Sequence, residues 1–133
     1  MMLDAGTLPA FLHGFGGFCD SLLQSISVEY LPTGKRRLLL ELRARDWAET
    51  QSDRWQDVRI VLEDVGDYRF GDEERKSMSV LSNGIHLVRI DARWCLELGY
   101  SEAPPRTLEE ARQSPAFAIA QRAEYTITPI PEP

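Results

Sequence analysis

Apolar side chains that return at every second position are the feature that most restricts this chain. Leu38, Leu40, Leu42 and Ala44 alternate with Arg37, Leu39, Glu41, Arg43 and Arg45. A period of two puts one set on one face of an extended strand and the other set on the opposite face. A helix would scatter the same residues around its circumference. The period also runs through Ile26, Val28 and Tyr30, set against Ser25, Ser27 and Glu29. Between the two runs stands Pro32-Thr33-Gly34-Lys35, where proline presets one dihedral and glycine accepts a positive φ. The pair reads as an antiparallel hairpin.

The alternation recurs further on. Val58, Ile60 and Leu62 oppose Asp57, Arg59, Val61 and Glu63, which predicts a third strand that opens near Trp55. Val65-Gly66-Asp67 reads as a turn into a short fourth strand carrying Tyr68 and Phe70. Ser82-Asn83-Gly84 is the sharpest turn signal, because Asn-Gly supports the paired positive φ values of a type I′ turn. Met78 and Val80 before it, with Ile85 and Leu87 after it, predict a hairpin. Asp91-Ala92-Arg93 reads as another turn, followed by alternating Trp94, Leu96, Leu98 and Tyr100. Phe117, Ile119, Gln121, Ala123, Tyr125 and Ile127 suit a last strand. One helix is marked near residues 108–113. Thr107-Leu108-Glu109-Glu110 matches a capping box, and Pro115 stops the helix soon after.

These segments predict a mainly β fold, with an α+β arrangement as the alternative. The expected architecture is an antiparallel twisted sheet, curled or sandwich-like, of roughly five to eight strands. A length of 133 residues suits one globular domain over 1–133. Residues 1–18 intersperse Phe11, Phe15 and Phe18 with Gly14, Gly16 and Gly17 and read as a packed N-terminal loop. Residues 128–133, with Pro129, Pro131 and Pro133, read as an extended tail.

Composition removes several function classes. A hydrophobic share of 43% with 27% charged residues is that of a folded, water-facing domain. No run of 18 apolar residues occurs, so no membrane helix is expected, and no basic segment at the start predicts a secretory signal. A net charge of −6 argues against a general nucleic-acid binder. Two cysteines, Cys19 and Cys95, are too few for a disulfide scaffold and read as buried structural thiols.

Candidate chemistry is thin. Gly14-Phe15-Gly16-Gly17 resembles a phosphate loop, but Cys19 stands where the third glycine belongs and no Lys-Ser/Thr follows. Cys19, Asp20, His13 and His86 hold the residue types of a nucleophilic triad without its local signature. The same histidines and cysteines lack metal-ligand spacing, and Asp72-Glu73-Glu74 lacks the glycine of a calcium loop. No catalytic residue, cofactor or metal is therefore expected. The basic residues are more informative, since thirteen of the 15 are arginine. Arg36, Arg37, Arg43, Arg45, Arg54 and Arg59 gather in the first half. They read either as cross-strand partners of Glu41, Asp57 and Glu63 or as part of a partner-binding face. The candidate face comprises Arg43, Arg45, Trp47, Trp55 and Arg59.

Phe18-Cys19-Asp20, then Ile26-x-Val28, then Trp55-x-x-Val58-x-Ile60-x-Leu62-x-x-Val65 and Phe70, resemble small bacterial β-rich proteins. Among these are immunity proteins of polymorphic toxin systems. Such families often show Phe-His-Asp before the first strand, and here Cys19 replaces the histidine. The resemblance covers roughly residues 15 to 100. It implies a cytoplasmic, non-enzymatic protein that binds another protein. The alternative expectation is a small-ligand binder or enzyme with its site inside the curled sheet, lined by Phe70, Trp94 and Tyr100 and supplied with Asp20 or Asp91. A self-pairing edge strand would instead make a homodimer.

Overall fold

The computed structural model describes residues 1–45, 55–70, 80–81, 84–98 and 103–129. Trp47, Arg54, Asp72-Glu73-Glu74, Met78, Ser82-Asn83, Tyr100, Pro131 and Pro133 lie outside the described residues. The chain opens with α1 (Leu8–Gly14) and a 3₁₀ turn (Gly16–Phe18). Then come β1 (Ser21–Tyr30), β2 (Arg36–Arg45), β3 (Trp55–Phe70), β4 (Val80–Leu81), β5 (His86–Ile90) and β6 (Arg93–Glu97). The short α2 (Leu108–Arg112) precedes β7 (Ala116–Pro129). The strands form one sheet in the order β4-β1-β2-β3-β7-β6-β5, antiparallel at every pairing. The mainly β expectation holds, with the sheet curled but not closed into a barrel.

The β1–β2 hairpin forms where the alternation places it, and Leu38, Leu40, Leu42 and Ala44 are fully buried. The β5–β6 hairpin turns through Asp91 and Ala92, both at positive φ. In α2, the Thr107 hydroxyl accepts from the Glu110 N–H at 3.1 Å. The Glu110 carboxylate reaches back one residue beyond the cap, to the Arg106 N–H at 2.7 Å.

Three local expectations are corrected. Residues 1–18 are not one loop, because Phe11 sits on α1, Phe18 ends the following 3₁₀ turn and Phe15 joins the two, and all three are buried. Their rings form one cluster, with Phe15 stacked on Phe18 at 5.0 Å and Phe11 on Tyr125 at 4.2 Å. Phe18 holds a left-handed backbone, φ +63°. That conformation costs about 1–2 kcal/mol, and complete burial of the ring returns about 1.5–3 kcal/mol. Next, Val65-Gly66-Asp67 does not turn the chain. β3 runs on for 16 residues, and the glycine lies at a shift of register against β7. Arg36 holds this bulge, donating to the Val65 carbonyl at 3.1 Å and to the Gly66 carbonyl. Finally, Ser82-Asn83-Gly84 does not close a hairpin. β4 pairs with β1, while β5 pairs with β6 at the far end of the sheet.

That last correction explains the curl. Only residues 82–85 separate Leu81 from His86, so the two ends of the strand order must approach. Five chain steps span at most about 18 Å. The N-terminal segment fills the seam, with the Ile85 N–H donating to the Gly17 carbonyl at 2.9 Å. Gly84 is obligatory there. It has φ +70°, and a Cβ would overlap the Gly17 carbonyl and lie 2.8 Å from the Cys19 nitrogen. Residues 1–3 extend the sheet further, with the Leu3 N–H donating to the Ala123 carbonyl at 2.9 Å.

Candidate functional site

The predicted face lies on the outside of β2 and β3. The register sets Arg37 against Glu63, Glu41 against Arg59, Arg43 against Asp57 and Arg45 against Trp55. Each charged couple is a formed ion pair. Arg37 Nε lies 2.8 Å from Glu63, Arg43 Nε 3.0 Å from Asp57, and the Arg59 guanidinium 2.7 Å from Glu41. Arg37 also reaches Glu29 on β1 at 3.5 Å. Arg43 meets Asp57 through two nitrogens, the forked geometry that favours arginine over lysine. Hydrogen bonding to Glu63, and then its charge, hold the Arg37 guanidinium protonated above its usual range. Asp57 does the same for Arg43. At the end of the ladder the Arg45 guanidinium lies over the Trp55 ring, 5.5 Å from its centroid.

The structure thus brings together Arg43, Arg45, Trp55 and Arg59, while Trp47 falls outside the described residues. The cross-strand reading of these arginines and the face reading describe the same surface. Arg37, Arg43, Arg45, Arg59 and Arg122 are balanced on it by Glu29, Glu41, Asp57, Glu63 and Glu124. The net charge of −6 therefore arises elsewhere on the chain. A shallow depression of about 290 Å³ opens in this face, lined by Gln24, Glu41, Asp57, Arg59, Thr126 and Thr128.

Of the triad candidates, Cys19, Asp20 and His13 are exposed and His86 is half-buried. Cys19 is exposed, which corrects its reading as a buried thiol, whereas Cys95 is buried as expected. Asp20 is exposed in a turn at φ +60° and Asp91 is exposed in the β5–β6 turn. Trp94 is packed in the main core with Phe18, Leu87 and Leu96, so it lines no internal site. Among the described residues, no group of three His, Cys, Asp or Glu side chains could hold a metal, and no helix is long and apolar enough to cross a membrane.

A second concave region escaped the sequence reading. Glu97 on β6 is buried, its side chain 3% exposed, directly opposite His86 on β5. Ser114 Oγ donates to Glu97 Oε1 at 3.0 Å, and His86 Nε2 is 3.8 Å from Oε2. Glu97 lies in a cleft of about 490 Å³ with Pro104, Pro105, Gln113, Ser114 and Pro115. The available signal was the run Ala116-Phe117-Ala118-Ile119-Ala120, apolar on both strand faces. Such a run marks a strand covered on both sides. The cover requires an element packed outside β6, which makes Glu97 an interior residue.

No protein family, curated protein or solved structure matches the chain.

Proposed function

We propose that the chain is a non-catalytic protein-binding module, an immunity-type inhibitor acting in a bacterial cytoplasm on a basic enzyme. The observation that carries this reading is the ion-paired outer face of β2 and β3. Long arginine side chains normally lose rotamer freedom on binding, and each immobilised chain costs about 0.5–1.5 kcal/mol. Here Glu63, Asp57 and Glu41 already hold Arg37, Arg43 and Arg59 in place. The face also stays accessible, with the Arg59 side chain 54% exposed and Glu41 38%. Its alternating signs fit a partner surface carrying the complementary pattern. The −6 charge outside it draws a basic partner from a distance.

The test is reconstitution. A tagged chain recovered from its native host carries a stoichiometric partner of basic isoelectric point, and the two purified proteins re-form the complex on size exclusion. Substituting Arg43→Ala with Arg59→Ala weakens it by about tenfold or more in calorimetry, with the circular dichroism spectrum unchanged. Recovery of the chain alone, as a monomer or as a homodimer by light scattering, defeats the reading. So does a complex indifferent to both substitutions.

A further inference from the structure

We propose that one end of the curled sheet binds a small aryl carboxylate, with the Arg36 guanidinium meeting the oxyanion and Tyr30, Tyr68 and Phe70 facing the ring. Arg36 opens β2 two positions before buried Leu38 and stands opposite Tyr30 of β1. Tyr68 and Phe70 end β3 opposite Ala118 and Ala116 of β7. Leu38, Ala116 and Ala118 belong to the main core, so the four side chains share the inner side of the sheet at its rim. The ion-paired face of β2 and β3 lies on the other side, and this site does not depend on it.

These groups are already held in place. Arg36 Nε donates to the Val65 carbonyl at 3.1 Å, and Nη2 donates to the Gly66 carbonyl. That uses one edge of the guanidinium fork. The other edge, Nη1 with the second N–H of Nη2, keeps the parallel donors that suit a carboxylate. The guanidinium also lies over the Tyr68 ring, 5.3 Å from its centroid. Arg37, Arg43, Arg59 and Arg112 each meet a carboxylate. Among the described residues, Arg36 is instead answered by two carbonyls and the Tyr68 side chain. The Tyr30 and Tyr68 hydroxyls are 3.0 Å apart. One of their two protons lies in that bond, and the other is left to donate outward, since Tyr30 is 72% exposed. The bond to Tyr30, and then burial, hold the Tyr68 hydroxyl protonated above its usual range, so the pair keeps both protons at neutral pH. The donors left over fit an oxyanion. Tyr68 and Phe70 stack at 6.4 Å, and with the exposed Tyr30 ring they offer apolar faces that an aromatic body covers and a bare anion does not. A cationic ligand would meet the charge of Arg36.

Benzoate is the probe, with benzamide as its neutral isostere and acetate as the carboxylate without a ring. Titration of benzoate into the ¹⁵N-labelled chain shifts the amide signals of Gly66 and Tyr68 saturably, with a dissociation constant in the range of roughly 0.1 to 10 mM. Benzamide and acetate each bind about tenfold more weakly or worse, the first for want of charge and the second for want of a ring. Arg36→Gln reduces the benzoate affinity by about tenfold or more, the scale of a lost charge-assisted contact. Tyr30→Ala removes an exposed ring and its hydroxyl without touching the core, and weakens binding by about fivefold or more. It decides the matter if Arg36→Gln disturbs the bulge at Gly66. Equal binding of benzamide or acetate, an affinity unaltered in either folded variant, or no saturable shift overturns the proposal. None of these outcomes depends on whether a protein partner docks on β2–β3.

Discussion

The two halves of the sheet solve different burial problems. Along β1, β2 and β3 only the inner face is covered, so Leu38, Leu40 and Leu42 are buried while Arg37, Glu41 and Arg43 remain half-exposed outside. Along β5, β6 and the first part of β7 both faces are covered. Trp94, Leu96, Ala116, Ala118 and Ala120 enter the main core. Cys95, Phe117 and Ile119 form a second cluster with Ala111 of α2. The inner positions Ala116, Ala118, Ala120 and Ala123 of β7 are small, which leaves room for the Phe11, Phe15 and Phe18 rings and for Trp94. A strand position facing outward therefore means different things in the two halves. On β2 and β3 it holds cross-strand ion pairs that reach solvent. On β6 and β7 it is packed, and a polar group there, such as Glu97, is an exception that Ser114 and His86 approach.

The largest expected effect comes from placing the same charge on the outward face of each half. Ile119→Asp buries an unpaired carboxylate under α2 and costs about 4 kcal/mol or more. Ser27→Asp on β1, exposed on the outward side, changes stability by no more than about 0.5 kcal/mol. Urea denaturation of the two variants measures the contrast. Similar losses would show that the outer faces are not differently covered. Gly84→Ala is next. It forces a side chain into the seam where the Gly17 carbonyl accepts from Ile85, at a cost on the order of 3 kcal/mol. Gly34→Ala is its control, since that glycine has φ +85° but open space around it. Backbone strain alone then costs about 1–2 kcal/mol. Thermal melts of both variants read the difference, and equal losses would show that the seam contributes nothing beyond φ.

What was legible in the sequence follows the same division. Where one face meets water, the period of two is visible, and it located β1, β2 and the first part of β3 and offered Glu41, Asp57 and Glu63 as cross-strand partners of the arginines, whose register the structure supplies. Where both faces are buried the alternation of polarity vanishes, and Phe117 and Ile119 looked like one side of an ordinary strand. Glycine chemistry misled twice for one reason. A positive φ or a missing Cβ serves a bulge or a close approach as well as a turn. Local sequence cannot say that Gly66 shifts a register or that Gly84 meets the Gly17 backbone. The approach of the two sheet edges is a long-range fact with no local signature. By contrast, α1 was readable in principle. Phe11, Phe15 and Phe18 recur at helical spacing, and Pro9 sits in the first turn, where helices accept proline. The interspersed glycines hid that stripe.

On the single-covered half, the comparison sharpens into a coupling energy. A double-mutant cycle on Glu41→Ala and Arg59→Ala returns less than about 1 kcal/mol, because both side chains reach solvent. The coupling shrinks further as salt is added. A value of several kcal/mol would mean that this ladder holds the sheet together rather than ordering a surface.

A further effect belongs to the double-covered half and is read by pH. The Cys95 thiol is pushed up from its ordinary 9.0 to about 11, first by burial and then by the negative charge of Glu97. The folded chain therefore keeps this proton when the unfolded chain has released it. Proton binding favours the folded state fully below the ordinary thiol value, and that contribution is lost as pH rises from about 9 toward 11. Stability should decline across that window, and Cys95→Ala should flatten the decline. Iodoacetamide gives a second reading. At mildly alkaline pH it alkylates exposed Cys19 promptly, while Cys95 reacts only as fast as the molecule opens. Mass spectrometry of the two peptides over time separates the rates. If Cys95 is modified as quickly as Cys19, α2 does not cover the outer side of β6, and the distinction between the two halves fails with it.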